Sequence, residues 1–254
     1  MLRRVSMEKY ILECCVDSVE SAIEAQKGGA NRIELCSALV IGGLSPSKAL
    51  FDKVRENVQI KIHVLLRPRF GDFCYTDLEH EVIKNEVRMF KELGADGVVI
   101  GALKPDGSLN LKQMKELVEE AAGMSITLHR AFDMCAEPFK TLEAVKDLGI
   151  HTILTSGQKN NCLDGKELLG QLVEIADGKV DILIGGGVDV SVIPSLYEST
   201  KATSYHMSGK IALDSEMQYR KEDVSMGVAS MSEYQIWRTS AERVAQVKHV
   251  LDTL

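Results

Sequence analysis

Eight short apolar segments alternate along the chain with stretches whose apolar residues recur every three or four positions. The apolar segments cover 10–16, 31–36, 59–66, 96–101, 124–129, 150–155, 180–185 and 203–208. Segments of this length are typical of buried strands, and the recurrence between them is typical of amphipathic helices. The pattern therefore predicts eight successive βα units.

Strands that alternate with single helices form parallel sheets, and eight units in 254 residues is the size at which such a sheet closes. We therefore predict one α/β domain over residues 1–254, a single (β/α)8 TIM-type barrel. An open doubly wound sheet is the alternative. It is disfavoured because the turn after the first strand reads "ECCVDS" and lacks the G-x-G-x-x-G fingerprint of dinucleotide-binding folds.

Capping residues predict where helices begin, and the absence of periodicity predicts which segment has no regular structure. Helix starts are predicted at Asp17, Ser45, Asn110 and Thr239, where capping residues precede the periodic stretches. The segment 209–240 shows no clear periodicity. We predict it to be a loop that covers the active face of the barrel before a final helix.

The second predicted strand, "NRIELCS" (31–37), carries polar groups on one face. Ile33 and Leu35 share one parity, which we expect to face the helices. Glu34 and Cys36 then point into the barrel, near the end where function lies in this fold. Glu13 and Cys15 repeat this spacing on the first strand. If the two strands align in register, two thiols and two carboxylates converge, although free cysteines are also common as small apolar fillers.

Further polar groups follow the carboxyl ends of the other strands. Groups that could transfer protons, together with the two glutamates, are His63, His129, Asp133 and His206. Groups that could hold an anion are Arg67, Arg69, Ser156, Gly186, Gly187 and Ser208. Satisfied core histidines and glycines that serve only tight turns are the alternative explanation of these positions.

Composition restricts the class of partner. The formal net charge of −7 opposes a general affinity for nucleic acid or for an anionic membrane surface. No apolar stretch reaches transmembrane length, and Glu8, Lys9 and Glu13 interrupt the first apolar run, which makes it a poor signal peptide. Six irregularly spaced cysteines are typical of thiols in a reducing compartment. We expect a cytoplasmic protein that binds a small molecule, an ion or a protein, and a homodimer is compatible with the sequence.

Several long motifs occur together in a fixed order. They are "CVDSVESAIEAQKGGANRIELCSALVIGGLSPS", "RPRFGDFCY", "GADGVVIGAL", "LHRAFD", "ILTSG" and "YHMSGK". In these motifs the chain resembles the CutC family, named for copper homeostasis. The resemblance implies a (β/α)8 barrel and Cu(I) binding by Cys15 and Cys36. We predict no organic cofactor. Cys14 is an additional thiol where many members of that family carry an apolar residue.

Two hypotheses from different classes follow. The first is a cytosolic copper-binding protein that holds Cu(I) at the C-terminal mouth of the barrel. The second is a barrel enzyme that acts on an anionic or phosphorylated small molecule by acid–base chemistry of glutamate and histidine. A scaffold that uses the outer face of the barrel is a third possibility, but no sequence feature isolates such a surface.

Overall fold

Eight parallel strands form the centre of the protein, which we describe from a computed structural model covering residues 9–221, 223–228 and 231–254. The strands are β1 Ile11–Val16, β2 Arg32–Leu35, β3 Lys61–Leu65, β4 Gly97–Ile100, β5 Ser125–Leu128, β6 Thr152–Thr155, β7 Asp181–Ile184 and β8 Ser204–Met207. Each pairs with the next, and β8 pairs with β1, so the sheet is closed. The predicted TIM-type barrel is confirmed, and the open doubly wound sheet is excluded.

In the described part of the chain, eight helices surround the barrel. They are α1 Val19–Lys27, α2 Lys48–Asn57, α3 Asp77–Glu92, α4 Leu111–Glu120, α5 Pro138–Asp147, α6 Lys166–Ala176, α7 Ile193–Thr200 and α8 Ala241–Thr253. Short 3-10 turns occupy Leu39–Ile41 and Arg130–Met134. Within the ranges described, every helix is too short or too polar to traverse a lipid bilayer.

The main apolar core lies between the outer face of the strands and the helices. Leu12, Cys14, Ile33 and Leu35 belong to this layer, and all four are fully buried. A separate small cluster of Cys36, Leu65 and Val99 lies apart from it. The strand parity read from the sequence is therefore correct: residues of one parity pack under the helices, and those of the other parity face the barrel interior.

Three of the four predicted helix starts are wrong by one or two residues. Asn110 caps α4 as predicted, by accepting a hydrogen bond from the Gln113 amide. The other caps are Ser18, Ser47 and Ser240. Ser45 is not a cap because its hydroxyl accepts from the Arg67 amide and donates to Glu86. A capping motif identifies a helix start only to within a few residues when several serines and threonines are adjacent.

The segment after β8 is not the irregular loop that we predicted. It forms an antiparallel ribbon of β9 Lys210–Asp214 and β10 Gln235–Thr239. The ribbon packs on α1, where the Thr239 amide donates to the Ser21 hydroxyl at 3.2 Å. Residues 222, 229 and 230 of this segment, and residues 1–8 at the N-terminus, lie outside the described residues.

The loop after β6 depends on a glycine with no room for a side chain. A Cβ at Gly165 would lie 1.9 Å from the carbonyl oxygen of Ser156. The φ of Gly165, −91°, is accessible to alanine, so substitution by alanine introduces a steric clash without backbone strain.

We predict that Gly165→Ala lowers the free energy of unfolding by roughly 1–3 kcal/mol, because the backbone must shift to remove this clash. Urea unfolding followed by circular dichroism measures the change. Gly227→Ala is the control, since no atom lies within 4 Å of the Cβ position at Gly227. Equal unfolding midpoints for both variants would contradict the close packing described.

Candidate functional site

A cavity of about 260 Å³ opens at the carboxyl ends of the barrel strands. It is lined by Cys15, Glu34, Leu39, Gly42, Leu65, Arg67, Phe73, His129, Arg130, Leu154, Gly186, Gly187, Val188, His206, Met207 and Ser208. Active sites of TIM barrels occupy this end of the fold. Among the described residues, none beyond Ser208 lines the cavity, so the β9–β10 ribbon does not form part of its wall.

The register of β1 against β2 decides which polar groups meet. The two Glu-x-Cys motifs do not lie side by side, because Cys15 pairs with Glu34 and Glu13 pairs with Arg32. On the other side of β1, Glu13 pairs with His206. This stagger is the consequence of strand tilt in a closed barrel. It brings the Cys15 sulfur, a Glu34 oxygen and a His206 nitrogen within 4.8 Å of one another.

Cys36 lies outside this group of three. Its thiol donates to the carbonyl oxygen of Val16 at 3.5 Å, and its side chain packs against Leu65 and Val99. Burial, with Glu34 nearby, raises the pKa of Cys36 well above its usual value. The structure thus places the predicted second metal-binding thiol in an apolar setting beside the cavity.

Glu13 binds two other charged side chains inside the barrel. It is 1% exposed, and its carboxylate accepts hydrogen bonds from Arg32 Nε and, at 2.7 Å, from His206 Nδ1. Burial alone would raise its pKa, but Arg32 and His206 outweigh burial and hold the pKa well below its usual range. Glu13 is therefore a fixed anion that binds its two neighbours.

Arg32 is a functional residue that the sequence analysis missed. It has the same parity as Glu34 and Cys36 in "NRIELCS", so its inward direction was available as a signal. A buried arginine is rare without an acidic partner, and Glu13 on the adjacent strand is that partner.

Glu34 behaves differently from Glu13. Burial, reinforced by the negative charge of Glu13, raises the pKa of Glu34 to about 7. Its Oε2 lies 3.8 Å from His206 Nε2, beyond hydrogen-bond distance. The carboxyl group can therefore exchange a proton near neutral pH.

His206 is oriented by Glu13. Because Nδ1 donates to Glu13, the other ring nitrogen, Nε2, faces Glu34. Burial alone would lower the pKa of His206, but the Cys15 sulfur and the Glu13 carboxylate raise it well above the usual value. Sulfur, carboxylate and imidazole thus form one coupled group at the wall of the cavity.

The other predicted acid–base residues are placed less favourably for that role. His63 does not line the cavity, and burial together with Arg32 lowers its pKa to about 4. His129 lines the cavity, but burial and Arg67 lower its pKa to about 3. Both rings are therefore neutral near pH 7. Asp133 is also outside the cavity wall, where it accepts hydrogen bonds from Thr155 Oγ1 and from the Ser156 amide.

The predicted anion-binding residues divide into two sets. Four of them line the cavity: Arg67, Gly186, Gly187 and Ser208. Arg69 does not, because Glu79 and Asp72 pair with its guanidinium. Ser156 is held by Asp133 and by the Lys159 carbonyl. The anion-binding role of all six residues stays a prediction.

Comparison with known proteins identifies the relatives of the chain. Residues 10–211 match the model of the CutC family. A mouse protein named copper homeostasis protein cutC homolog is 42% identical over 236 residues, which are 92% of this chain and 87% of that protein. A Bacteroides fragilis protein named as family protein CutC is 41% identical over 98% of this chain and 97% of its own length.

Solved structures agree with this relationship. The crystal structure of a Streptococcus agalactiae protein named for copper homeostasis and CutC superposes with a TM-score of 0.74 and 26% identity. It covers 78% of this chain and 98% of that one. Phosphoribosylanthranilate isomerase from Thermotoga maritima superposes at a TM-score of 0.58 with 9% identity over 96% of this chain and 100% of its own, which shows the barrel fold alone.

We predict that replacing Glu34 by the neutral isostere, Glu34→Gln, stabilises the metal-free protein increasingly as pH rises from 4.5 to about 7. The folded-state pKa is raised, so parent stability is lost over this window while glutamine carries no charge to bury. The difference in unfolding free energy should grow by about 3 kcal/mol. Urea unfolding across this pH range measures it. Parallel stability curves for the two proteins would contradict the raised pKa, and Glu24→Gln on the surface serves as the control.

Proposed function

Because this chain belongs to the CutC family, we propose that it serves copper homeostasis by binding Cu(I) as cargo at Cys15, Glu34 and His206. The observation that carries this proposal is the convergence of their three ligand atoms within 4.8 Å at the barrel mouth. A thiolate, an imidazole and a carboxylate are three groups that proteins use to bind transition metals. All six cysteines are free thiols, which fits the reducing cytoplasm where we place the protein.

The donor set fits a soft or borderline ion. The Cys15 sulfur selects for Cu(I) or Zn²⁺ over hard cations, and imidazole suits copper and zinc. The hydrogen bond from His206 Nδ1 to Glu13 orients the ring, and an ion bound at Nε2 would displace the proton that the raised pKa of His206 keeps there. A carboxylate behind a ligating histidine is the usual support of such a ligand in metalloproteins. Glu34 is the hardest of the three donors, and its carboxylate suits Zn²⁺ better than Cu(I).

Cys36 is less well placed than Cys15 to act as a metal ligand. As a metal ligand it would have to lose a proton that burial stabilises, and to leave its contact with the Val16 carbonyl. Its participation therefore stays a prediction, which single-cysteine variants can separate from that of Cys15.

We predict that an anaerobic titration of Cu(I) against a chelator of known affinity finds one tight site per chain. In Cys15→Ser that site should weaken by at least roughly tenfold, because the soft ligand is lost. Cys162→Ser is the matched control, since Cys162 is a buried thiol that does not line the cavity.

Cys36→Ser decides between the two ligand sets. Unchanged Cu(I) affinity supports Cys15, Glu34 and His206 as the ligands. A loss of affinity equal to that of Cys15→Ser supports Cys15 and Cys36 as the ligands. Equal binding by the parent and Cys15→Ser would contradict the proposed site. A parallel Zn²⁺ titration determines whether Cu(I) is preferred.

A second candidate function is acid–base catalysis on a small organic molecule. It is favoured by the pair of Glu34 and His206 on the wall of one cavity, with Glu13 fixing the orientation of the imidazole. Glu34 exchanges its proton near pH 7, and His206, whose pKa is raised well above the usual value, can supply a second proton.

For this candidate, we predict that the parent consumes a compound from a mixture of small metabolites and that Glu34→Gln does not, because glutamine cannot transfer the proton. Mass spectrometry of the mixture before and after incubation measures the loss. Glu86→Gln is the control, since Glu86 is a partly buried carboxyl group outside the cavity. Consumption by parent and Glu34→Gln at equal rates would remove Glu34 from the chemistry.

A further inference from the structure

We propose that Arg67 and His129 form a subsite for the carboxylate group of a small organic acid inside the cavity. This inference deepens the second candidate function, and it rests on that candidate's premise that the cavity holds an organic molecule. It does not require a metal ion.

Arg67 is a buried cation whose guanidinium is only partly satisfied. The residue is 7% exposed, and its Nη1 and Nη2 donate to the carbonyl oxygens of Gly43 and Gly71 at 3.3 and 2.7 Å. Its Nε is buried and has no hydrogen-bond partner. Among the described residues no carboxylate forms an ion pair with Arg67. A buried charge without an opposite charge is costly, so this position is suited to an incoming anion.

His129 supplies a second unused donor. Its Nδ1 accepts a hydrogen bond from the Ala131 amide at 3.1 Å, so the neutral ring carries its hydrogen on Nε2. Nε2 is buried without a partner, in a residue that is 4% exposed. Burial and Arg67 lower the pKa of His129 to about 3, so the ring remains a neutral donor at physiological pH.

The two donors share one aromatic neighbour. The Phe73 ring centroid lies 4.7 Å from that of His129 and 5.0 Å from the Cζ of Arg67. Phe73 therefore contacts both side chains, and all three residues line the same cavity. Charge-assisted hydrogen bonds gain strength in such an apolar setting.

The number of free donors and the size of the cavity favour a carboxylate over a phosphate. One unpaired N–H on each residue matches the two oxygens of a carboxylate, whereas a phosphate group brings more oxygens to satisfy. Nearby Arg130 and Arg69 add little charge, because Asp133 pairs with Arg130 and Glu79 with Arg69. A volume of about 260 Å³ lies below the range typical of sites for drug-sized ligands, which favours a small acid.

The experiment is a titration of the metal-free protein with acetate, succinate and inorganic phosphate, followed by NMR of ¹⁵N-labelled histidine. The Nε2 resonance of His129, assigned with a His129→Gln sample, should show the neutral Nε2–H form before titration. A bound carboxylate should shift this resonance saturably. Arg67→Gln should weaken carboxylate binding by about tenfold or more, since one charged donor is lost.

Arg55→Gln is the control, because it removes an arginine of helix α2 that does not line the cavity, and its affinity should equal that of the parent. Cys15→Ser is titrated in parallel. Retained carboxylate binding in this variant shows that the subsite does not depend on metal binding. Because the experiment measures binding, it also separates the subsite from the proposed catalysis. Equal affinity of parent and Arg67→Gln, or no shift of the His129 resonance, would overturn the subsite. Preference for phosphate at the same residues would overturn the assignment to a carboxylate.

Discussion

The buried carboxylate of Glu13 is the interaction on which the rest of the site depends. Glu13 lies on β1 and accepts hydrogen bonds from Arg32 on β2 and His206 on β8, so three adjacent strands are joined through one side chain. Removal of any one member would leave an unpaired polar or charged group inside the barrel, which costs several kcal/mol in typical proteins. The same contacts fix the direction in which His206 presents Nε2.

Two glutamates on neighbouring strands have different properties because their partners differ. Glu13 has a cationic donor on each side and stays ionised. Glu34 lies at the cavity wall without a hydrogen bond to Arg32 or His206, and the fixed charge of Glu13 reinforces burial in raising its pKa to about 7. The barrel thus places a permanent anion behind His206 and a titratable carboxyl group in front of it. This separation of two like groups by environment is the pattern by which folds prepare a metal site or an acid–base pair.

The sequence predicted the faces of the strands but not their alignment. Alternation along "NRIELCS" identified Glu34 as inward-facing without any knowledge of the neighbouring strands. Alternation has no information on register, and register is what pairs Cys15 with Glu34 rather than with Cys36. The same limit explains why Arg69 and Asp133 were grouped with the site: their partners, Glu79 and Ser156, lie in other segments, and only the fold brings them together.

The two proposals assign different chemistry to different parts of one cavity. In these proposals Glu34 and His206 exchange protons or, together with Cys15, bind an ion, whereas Arg67 and His129 donate N–H groups. If the bound ion were Zn²⁺, which usually takes four ligands, Cys15, Glu34 and His206 would leave one position for an external ligand. A small acid held at Arg67 and His129 lies in the same cavity as that position, so an ion and an organic carboxylate need not compete.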